Sequence, residues 1–576
     1  MMRRAVLGGS GGLLPAIGRA LAAVATVAAV TAMAAVAAIT AHPAAAQDPA
    51  ALLTPAERDS LAMLDRAQTA MHRYVIGVRL ASGPAHLAIR HTRPEIISTL
   101  EVAGSALPGD DWITGHRIGL QVKEGNLNRA LDLALDCRAA DWWCAALLGF
   151  VLHEMADHPG AERAFDRALD RMPWGIRCSW IEETGQLLER WGASAFRGMS
   201  CEDATKEAER LWWLANPFFM EPGNDRRTEH MARLVQLRLH DQTLALHDQR
   251  CAPEHRWALL TLGFPPSRWS YERPFQPFER GPGLSFVPRS DVLANPFDSR
   301  PDDWRTRPEH RQERYRLQRW TEVVDLPVQV AFFRRDGGLA VAAASSLESH
   351  DLASAKGLRM ALALSAGPGT EASILAFERP GAHALFRTTL PDEPWIVSLE
   401  ALPDEEEGGP AGRARFGQAL PRAGASGLAL SDPLLFAWEE GIPETLESVA
   451  PRMLGTTELA AGGGVGVFWE IYGIGPDTPV DVSLAASPDD PGFFRRLGEI
   501  LRVVERREAI RFTWSETGVD AGVAGRALRL DLSQLPQGGY TLQLTARGLG
   551  DEVTTARRIE ILGDAGGAPS DERGLR

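Results

Sequence analysis

Residues 141 to 173, DWWCAALLGFVLHEMADHPGAERAFDRALDRMP, constrain this chain more than any other stretch. At a period of 3.6 they give two amphipathic helices joined by a turn at Asp157-His158-Pro159-Gly160. Gly149, Ala161 and Ala168 fall where two helix backbones must approach, and Leu148, Leu152 and Phe165 fill the space between them. Pro173 closes the unit. A helical hairpin of this kind cannot bury its apolar face alone, so it needs stacked neighbours. The first part of the chain is therefore expected to be a helical array. Nothing in the sequence states a molecular activity with comparable force.

At 576 residues the chain is too long for one core, and three or four domains are expected. Residues 1–46 hold Arg3, Arg4 and Arg19 and no acidic residue, and residues 20–41 are uncharged. Ala44 and Ala46 then form an A-x-A site before Gln47. That is the grammar of a secretory signal peptide. The apolar run is also long enough to span a bilayer, so a retained inner-membrane anchor stands as the alternative. The chain has 61 Lys+Arg against 75 Asp+Glu, a net charge of −14. Bulk attraction to nucleic acid is not expected from such a balance. Only Lys123, Lys206 and Lys356 are lysines. The arginine excess fits codon usage as well as any specific recognition.

Export implies an oxidising compartment, periplasmic or extracellular, for the five cysteines. Two bridges among five cysteines can be made in fifteen ways. The expected pairs are Cys137–Cys144 and Cys178–Cys201, because each joins the ends of adjacent predicted helices, and Cys251 is left over. No C-x-x-C spacing occurs, so no zinc cluster, redox pair or haem attachment is indicated.

Thr54-Pro55-Ala56-Glu57 reads as a capping box opening a helix with an apolar stripe from Leu61 to Val78. A second helix is expected over Glu95 to Ala103. Residues 112–137 repeat the hairpin grammar around Gly125-Asn126, with Ala130 matching Ala161. Further helices are expected over Cys178 to Trp191, from Glu202 to Asn216, and from Asn224 or Asp225 to about His240.

Gly149, Ala161, Phe165, Ala168 and Pro173 fall on the signature positions of the tetratricopeptide repeat family, which the stretch resembles. Ala145 and Leu152 stand where that family has aromatics. The resemblance covers residues 110–195. It implies a solenoid in which the first helix of each repeat lines a concave binding groove. Trp143, Ala146, Phe150, His153 and Glu154 would be the groove positions, although Trp143 and Phe150 suit core packing equally well. Leu211 to Pro217 with Gly223 to His230, and Leu262-Gly263-Phe264-Pro265-Pro266, resemble the opening and close of the GWxTD module of exported bacterial proteins. The Gly-Trp-x-Thr-Asp core itself is missing. That resemblance implies a recurring order of export signal, helical repeats, this module and β-domains.

From Pro327 the period switches to two. The expected organisation is a signal peptide over 1–46, repeats over 47–200, the GWxTD-like helices over 201–266 and a Pro/Arg-rich connector over 267–325. A β-sandwich of about seven strands follows over 326–425, then a linker over 426–455, a second sandwich over 456–563 and a disordered tail over 564–576. An acidic loop, Asp404 to Gly409, and an amphipathic insert, 491–507, interrupt the strands. The turn leading to Gly538-Gly539-Tyr540 resembles the tyrosine corner of immunoglobulin-like and fibronectin-like modules, which implies a hydrogen bond from Tyr540 to backbone. The expected fold class is thus a tetratricopeptide-like α-solenoid followed by two immunoglobulin-like antiparallel β-sandwich domains.

His153-Glu154-Met155-Ala156-Asp157-His158 lacks the i, i+4 histidine pair of a zinc protease, and Gly462-Gly463-Gly464 precedes a strand rather than a helix. No nucleophile elbow or phosphate loop occurs, so no catalytic, metal or cofactor residue is assigned. The expected function is an exported, non-catalytic protein–protein interaction scaffold of the bacterial cell envelope. Its partners would be envelope proteins, with a membrane involved only if the N-terminal segment is retained. The alternatives are an envelope hydrolase of peptide or glycan, with polar residues near His153, Glu154 or Asn224 to His230, and carbohydrate binding through Trp469 or Trp514.

Overall fold

The computed structural model describes residues 54–80, 93–188, 190–245, 250–263, 286–304, 320, 323–347, 351–378, 383–403, 409–418, 423–439, 441–489, 510–517, 523–533 and 535–563. The expected signal segment, most of the connector, the acidic loop, the 491–507 insert and the tail lie outside them. By contacts the chain divides into two units, 1–69 and 70–576. The described part of the first opens helix α1 (Pro55–Leu80) with the expected box. Thr54 N donates to Glu57 Oε2 at 2.7 Å and Glu57 N to Thr54 Oγ1 at 3.2 Å.

In the second unit the helices are α2 (Arg93–Ala106), α3 (Asp111–Lys123), α4 (Leu127–Leu135), α5 (Asp141–Glu154) and α6 (His158–Arg171). They continue with α7 (Trp174–Glu183), α8 (Arg190–Gly198), α9 (Cys201–Ala215), α10 (Asp225–Ala245), α11 (Pro253–Leu262) and the short α12 (Ser290–Ala294). The α5–α6 hairpin follows from its residues. Asp157 caps α6 by accepting from Gly160 N at 2.9 Å. Gly149 lets the Phe165 ring lie against the α5 backbone, where a Cβ would come within 2.8 Å of it. The helix expected to run from Cys178 to Trp191 is instead broken into α7, a 3-10 turn at Thr184–Leu187, and α8. A Cβ at Gly185, in that turn, would meet Phe196 of α8 at 2.8 Å, so the chain turns where glycine permits close approach.

The first β-module contains β1 (Val323–Asp325), β2 (Gln329–Arg335), β3 (Gly338–Ser346), β4 (Arg359–Ser365), β5 (Ser373–Glu378), β6 (His383–Leu390), β7 (Trp395–Leu402) and β8 (Ala411–Gln418). They form a five-stranded sheet, β1-β8-β7-β4-β5, and a three-stranded sheet, β2-β3-β6. Met360, Leu362, Val397 and Leu399 of one sheet and Val330, Phe332, Val341 and Phe386 of the other share the core between them.

The second module holds β9 (Ala429–Leu430), β10 (Leu434–Phe436), the short α13 (Leu446–Val449), β11 (Glu458–Ala460), β12 (Gly464–Tyr472) and β13 (Pro479–Pro488). It ends with β14 (Ile510–Thr517), β15 (Val523–Asp531), β16 (Gly538–Gly548) and β17 (Asp551–Leu562). β9 and β10 belong to its sheet, pairing with β12, so the expected linker supplies strands. The sandwiches are not purely antiparallel. β1 runs parallel to β8, and β11 parallel to β17. A parallel neighbour needs a long connection, and almost the whole module between the two strands provides it. Tyr540 makes the expected corner, its hydroxyl donating to Pro536 O at 3.0 Å.

Every residue of β7 is buried because both faces of its sheet are covered. Val397, Leu399 and Ala401 face the sandwich core, while Ile396 joins Leu211, Trp212 and Leu214 of α9. Between the sandwiches, Ala331, Phe333 and Ala342 pack against Leu434, Phe436 and Phe468. Gln329 ties this joint by donating to Leu435 O at 3.0 Å and accepting from Leu435 N at 2.6 Å. No helix among the described residues is long and apolar enough to cross a membrane.

Candidate functional site

The polar residues that the sequence singled out converge where α5, α6 and the start of α10 meet. His153 is at the end of α5, and its Nε2 lies 2.8 Å from Glu229 Oε2. Its Nδ1 lies 3.0 Å from Thr228 Oγ1, which is also 3.3 Å from His158 Nδ1. An ionised carboxylate only accepts, so His153 Nε2 donates to Glu229, while Thr228 donates its single hydroxyl proton to Asp225 O at 3.1 Å.

Two guanidiniums, those of Arg226 and Arg233, surround the carboxylate in this chain of bonds. Burial alone would raise the Glu229 carboxyl, but Arg233, the His153 contact and Arg226 hold it well below the ordinary carboxylate range. Arg233 bonds Glu229 Oε1 at 2.7 Å and donates to Leu260 O at 2.8 Å and Thr261 O at 3.1 Å, tying α10 to α11. Burial, then Arg226 and Arg233, push His230 far below the imidazole range, so it is neutral. Its ring packs 5.1 Å from that of Trp212. Asn224 caps α10 by accepting from Arg227 N at 2.9 Å and reaches back to Trp212 O at 2.6 Å.

A hydroxyl, an imidazole and a carboxylate in this order can transfer an acyl group when the hydroxyl faces substrate. Thr228 does not: it is wholly buried, and its oxygen also contacts Asp225 O at 3.1 Å. A cavity of about 130 Å³ lies elsewhere, lined in part by Asp325, Arg413, Arg415 and Glu458. Small-molecule sites are usually roughly 300–1,000 Å³.

The expected groove is corrected by burial. Trp143, Ala146, Phe150 and His153 are interior, and of the five proposed positions only Glu154 is exposed. The cause is α10, whose Met231, Leu234, Val235 and Leu239 share a core with Trp143 and Phe150. Arg238 lies over the Trp142 and Trp143 rings, 4.7 and 5.0 Å from their centroids. The chain's own helix thus occupies the face that a partner would need. Trp469 is interior as well and offers no sugar-stacking surface, while Trp514 is half-buried and packs on it at 5.9 Å. Cys137 is bonded to Cys144 and Cys178 to Cys201, two bridges that suit an oxidising compartment.

Arg226 and His230 lie in the Asn224 to His230 stretch that the sequence marked, whereas Arg233 lies beyond it. Arg226, His230 and Arg233 recur at helical spacing, which places them on one face of α10, but a periodicity template reads such a polar face as solvated.

No protein-family model and no curated protein matches the chain. Among solved structures it is similar to the FN1-FN3 domains of chicken CNTN1, at 10% identity over 42% of this chain and 68% of that one, with a TM-score of 0.15. It is also similar to red sea bream transglutaminase, at 9% identity, 48% and 36% coverage and a TM-score of 0.14. A two fibronectin type-III domain segment from chicken tenascin matches at 9% identity, 41% and 99% coverage and a TM-score of 0.12. At these scores none of the three bears on what the chain binds or does.

Proposed function

We propose that the chain is an exported, non-catalytic protein–protein interaction scaffold of the bacterial cell envelope. The helical half is taken as a tetratricopeptide-like array with a diverged GWxTD-like module, and the sandwiches as immunoglobulin-like. The observation that carries this is the use of buried polar side chains as joints. The His153–Thr228–Glu229 chain locks α10 onto α5, and Arg415 binds the α9–α10 turn to β7 and β8. Elements held this way keep their outer surfaces in fixed relation, which suits binding without paying for ordering on contact. Because α10 fills the face of α5, partners are assigned to the outer surface of the helices, where Trp174 is 76% and Leu135 65% exposed. Aromatic residues of that kind commonly anchor interfaces.

Capture of residues 47–576 from envelope extract tests this. A protein partner retained by the intact chain and lost by Trp174→Ser is expected. Equal retention by the variant would remove the assignment of that surface. A hydrolase would instead use the Thr228–His153 pair, and Thr228→Val would then abolish turnover of peptide or glycan. On the scaffold account Thr228→Val changes stability alone.

A further inference from the structure

We propose that His240, Asp241 and Cys251 form a binding site for a zinc-like divalent ion. His240 and Asp241 lie near the end of α10, and Cys251 lies just before α11. One ligand atom from each of the three lies within 4.8 Å of the other two. Neighbouring residues on a helix do not ordinarily face each other. Here His240 Nδ1 and Asp241 Oδ1 approach to 4.0 Å.

Both of those atoms are buried and have no hydrogen-bond partner among the described residues. Such orphans are costly, and native proteins rarely keep two side by side without a bound ion or water between them. An imidazole nitrogen, a carboxylate oxygen and a thiolate are a three-ligand set that suits zinc and leaves a fourth position open. Bonds of about 2.0–2.3 Å in a tetrahedral arrangement put ligand atoms roughly 3.3–3.6 Å apart. The site would need to close by up to about 1.5 Å to reach that spacing.

The surroundings support the same occupant. Asp241 Oδ2 is held by Arg256, whose Nε donates to Glu183 Oε1 at 2.6 Å. This leaves Oδ1 as the available oxygen and fixes its direction, as outer-shell partners of metal ligands do. Arg256 bridges the Glu183 and Asp241 carboxylates, one positive group against two negative ones, which favours a cation beside them. The His255 ring lies 5.8 Å from that of His240, within reach as a fourth donor. Coordination also gives a function to the cysteine that neither disulfide uses.

The test is titration of chelator-treated residues 47–576 with Co²⁺ and Zn²⁺. One equivalent of Co²⁺ with a thiolate-to-cobalt charge-transfer band is expected. Cys251→Ser should abolish that band, and His240→Gln or Asp241→Asn should weaken affinity at least ~10-fold. Absence of saturable binding, or affinity unchanged in His240→Gln, overturns the site. Should a variant fail to fold, alkylation of Cys251 in the unaltered chain decides. Slowing by Zn²⁺ supports the site, and an unchanged rate overturns it.

Discussion

Glu400 and Arg415 face each other on neighbouring strands, 3.2 Å apart, with both side chains wholly shielded from solvent. Neither serves its own sheet alone. Glu400 accepts from Phe219 N at 2.9 Å and Met220 N at 2.8 Å. Arg415 donates to Leu214 O, Asn216 O and Pro217 O at 3.2, 2.7 and 3.3 Å, and Ser398 takes its Nε at 3.1 Å. All five guanidinium donors therefore have acceptors, and the turn after α9 is bound to the outer face of β7 and β8. Burial lowers the Arg415 guanidinium to about 10, which leaves it charged at neutral pH.

Removing one partner leaves the other charge buried and unpaired. Arg415→Met or Glu400→Leu is expected to cost about 3–5 kcal/mol. In urea unfolding, the helical signal should separate from the β signal in either variant. A single transition with unchanged midpoint would show that the joint does not couple the halves.

Acid should destabilise the protein well above the usual carboxylate range. Burial, aided by Lys123, lowers His116 to about 3, and His230 also stays neutral when folded. Unfolded histidines titrate near ~6.5. Below that pH the unfolded chain binds more protons, so stability falls by about 1.4 kcal/mol per pH unit for each histidine. For His116 the loss continues to about pH 3. Glu229 adds loss of the same sign below about 4.3, because its folded carboxyl is depressed. Urea midpoints from pH 7 to 5 check this, and a flat profile would contradict it.

Gly149→Ala places a methyl 2.8 Å from the Phe165 ring at the closest approach of α5 and α6. Overpacking of this kind costs about 1–3 kcal/mol. The thermal midpoint of the helical signal should drop, with the α5–α6 amides losing hydrogen-exchange protection first.

The two disulfides should differ in worth. Cys178–Cys201 closes a separation of 23 residues and Cys137–Cys144 one of 7. Loop-closure entropy gives about 3 and about 2 kcal/mol respectively. Paired Cys→Ala variants, compared by denaturant midpoint, should rank in that order.

Much of this architecture was legible because local chemistry and period agreed. The Thr54 capping box, the Asp157 cap, the close approach at Gly149 and the Tyr540 corner each follow from a few residues in sequence. What escaped was set by the far side of an element. β8, AGRARFGQ, sets arginine among small residues without apolar alternation, and Arg413 and Arg415 point into a joint that the α9–α10 turn covers. Glu400 in β7 is buried against the same turn. Trp143, Phe150 and His153 suit either a groove or a core, and only the position of α10, 72 residues or more further along, decides between them. The His240–Asp241–Cys251 cluster had no recognisable spacing, since adjacent helix residues and a distant cysteine match no metal motif.

Surfaces held for binding are tested most directly by the mass of the chain recovered from envelope extract. Residues 47–576, captured under native conditions and weighed by light scattering, should elute as a defined complex heavier than the chain, with another protein at fixed ratio. Recovery of the chain alone at its own mass, together with peptide or glycan turnover that Thr228→Val abolishes, would contradict it.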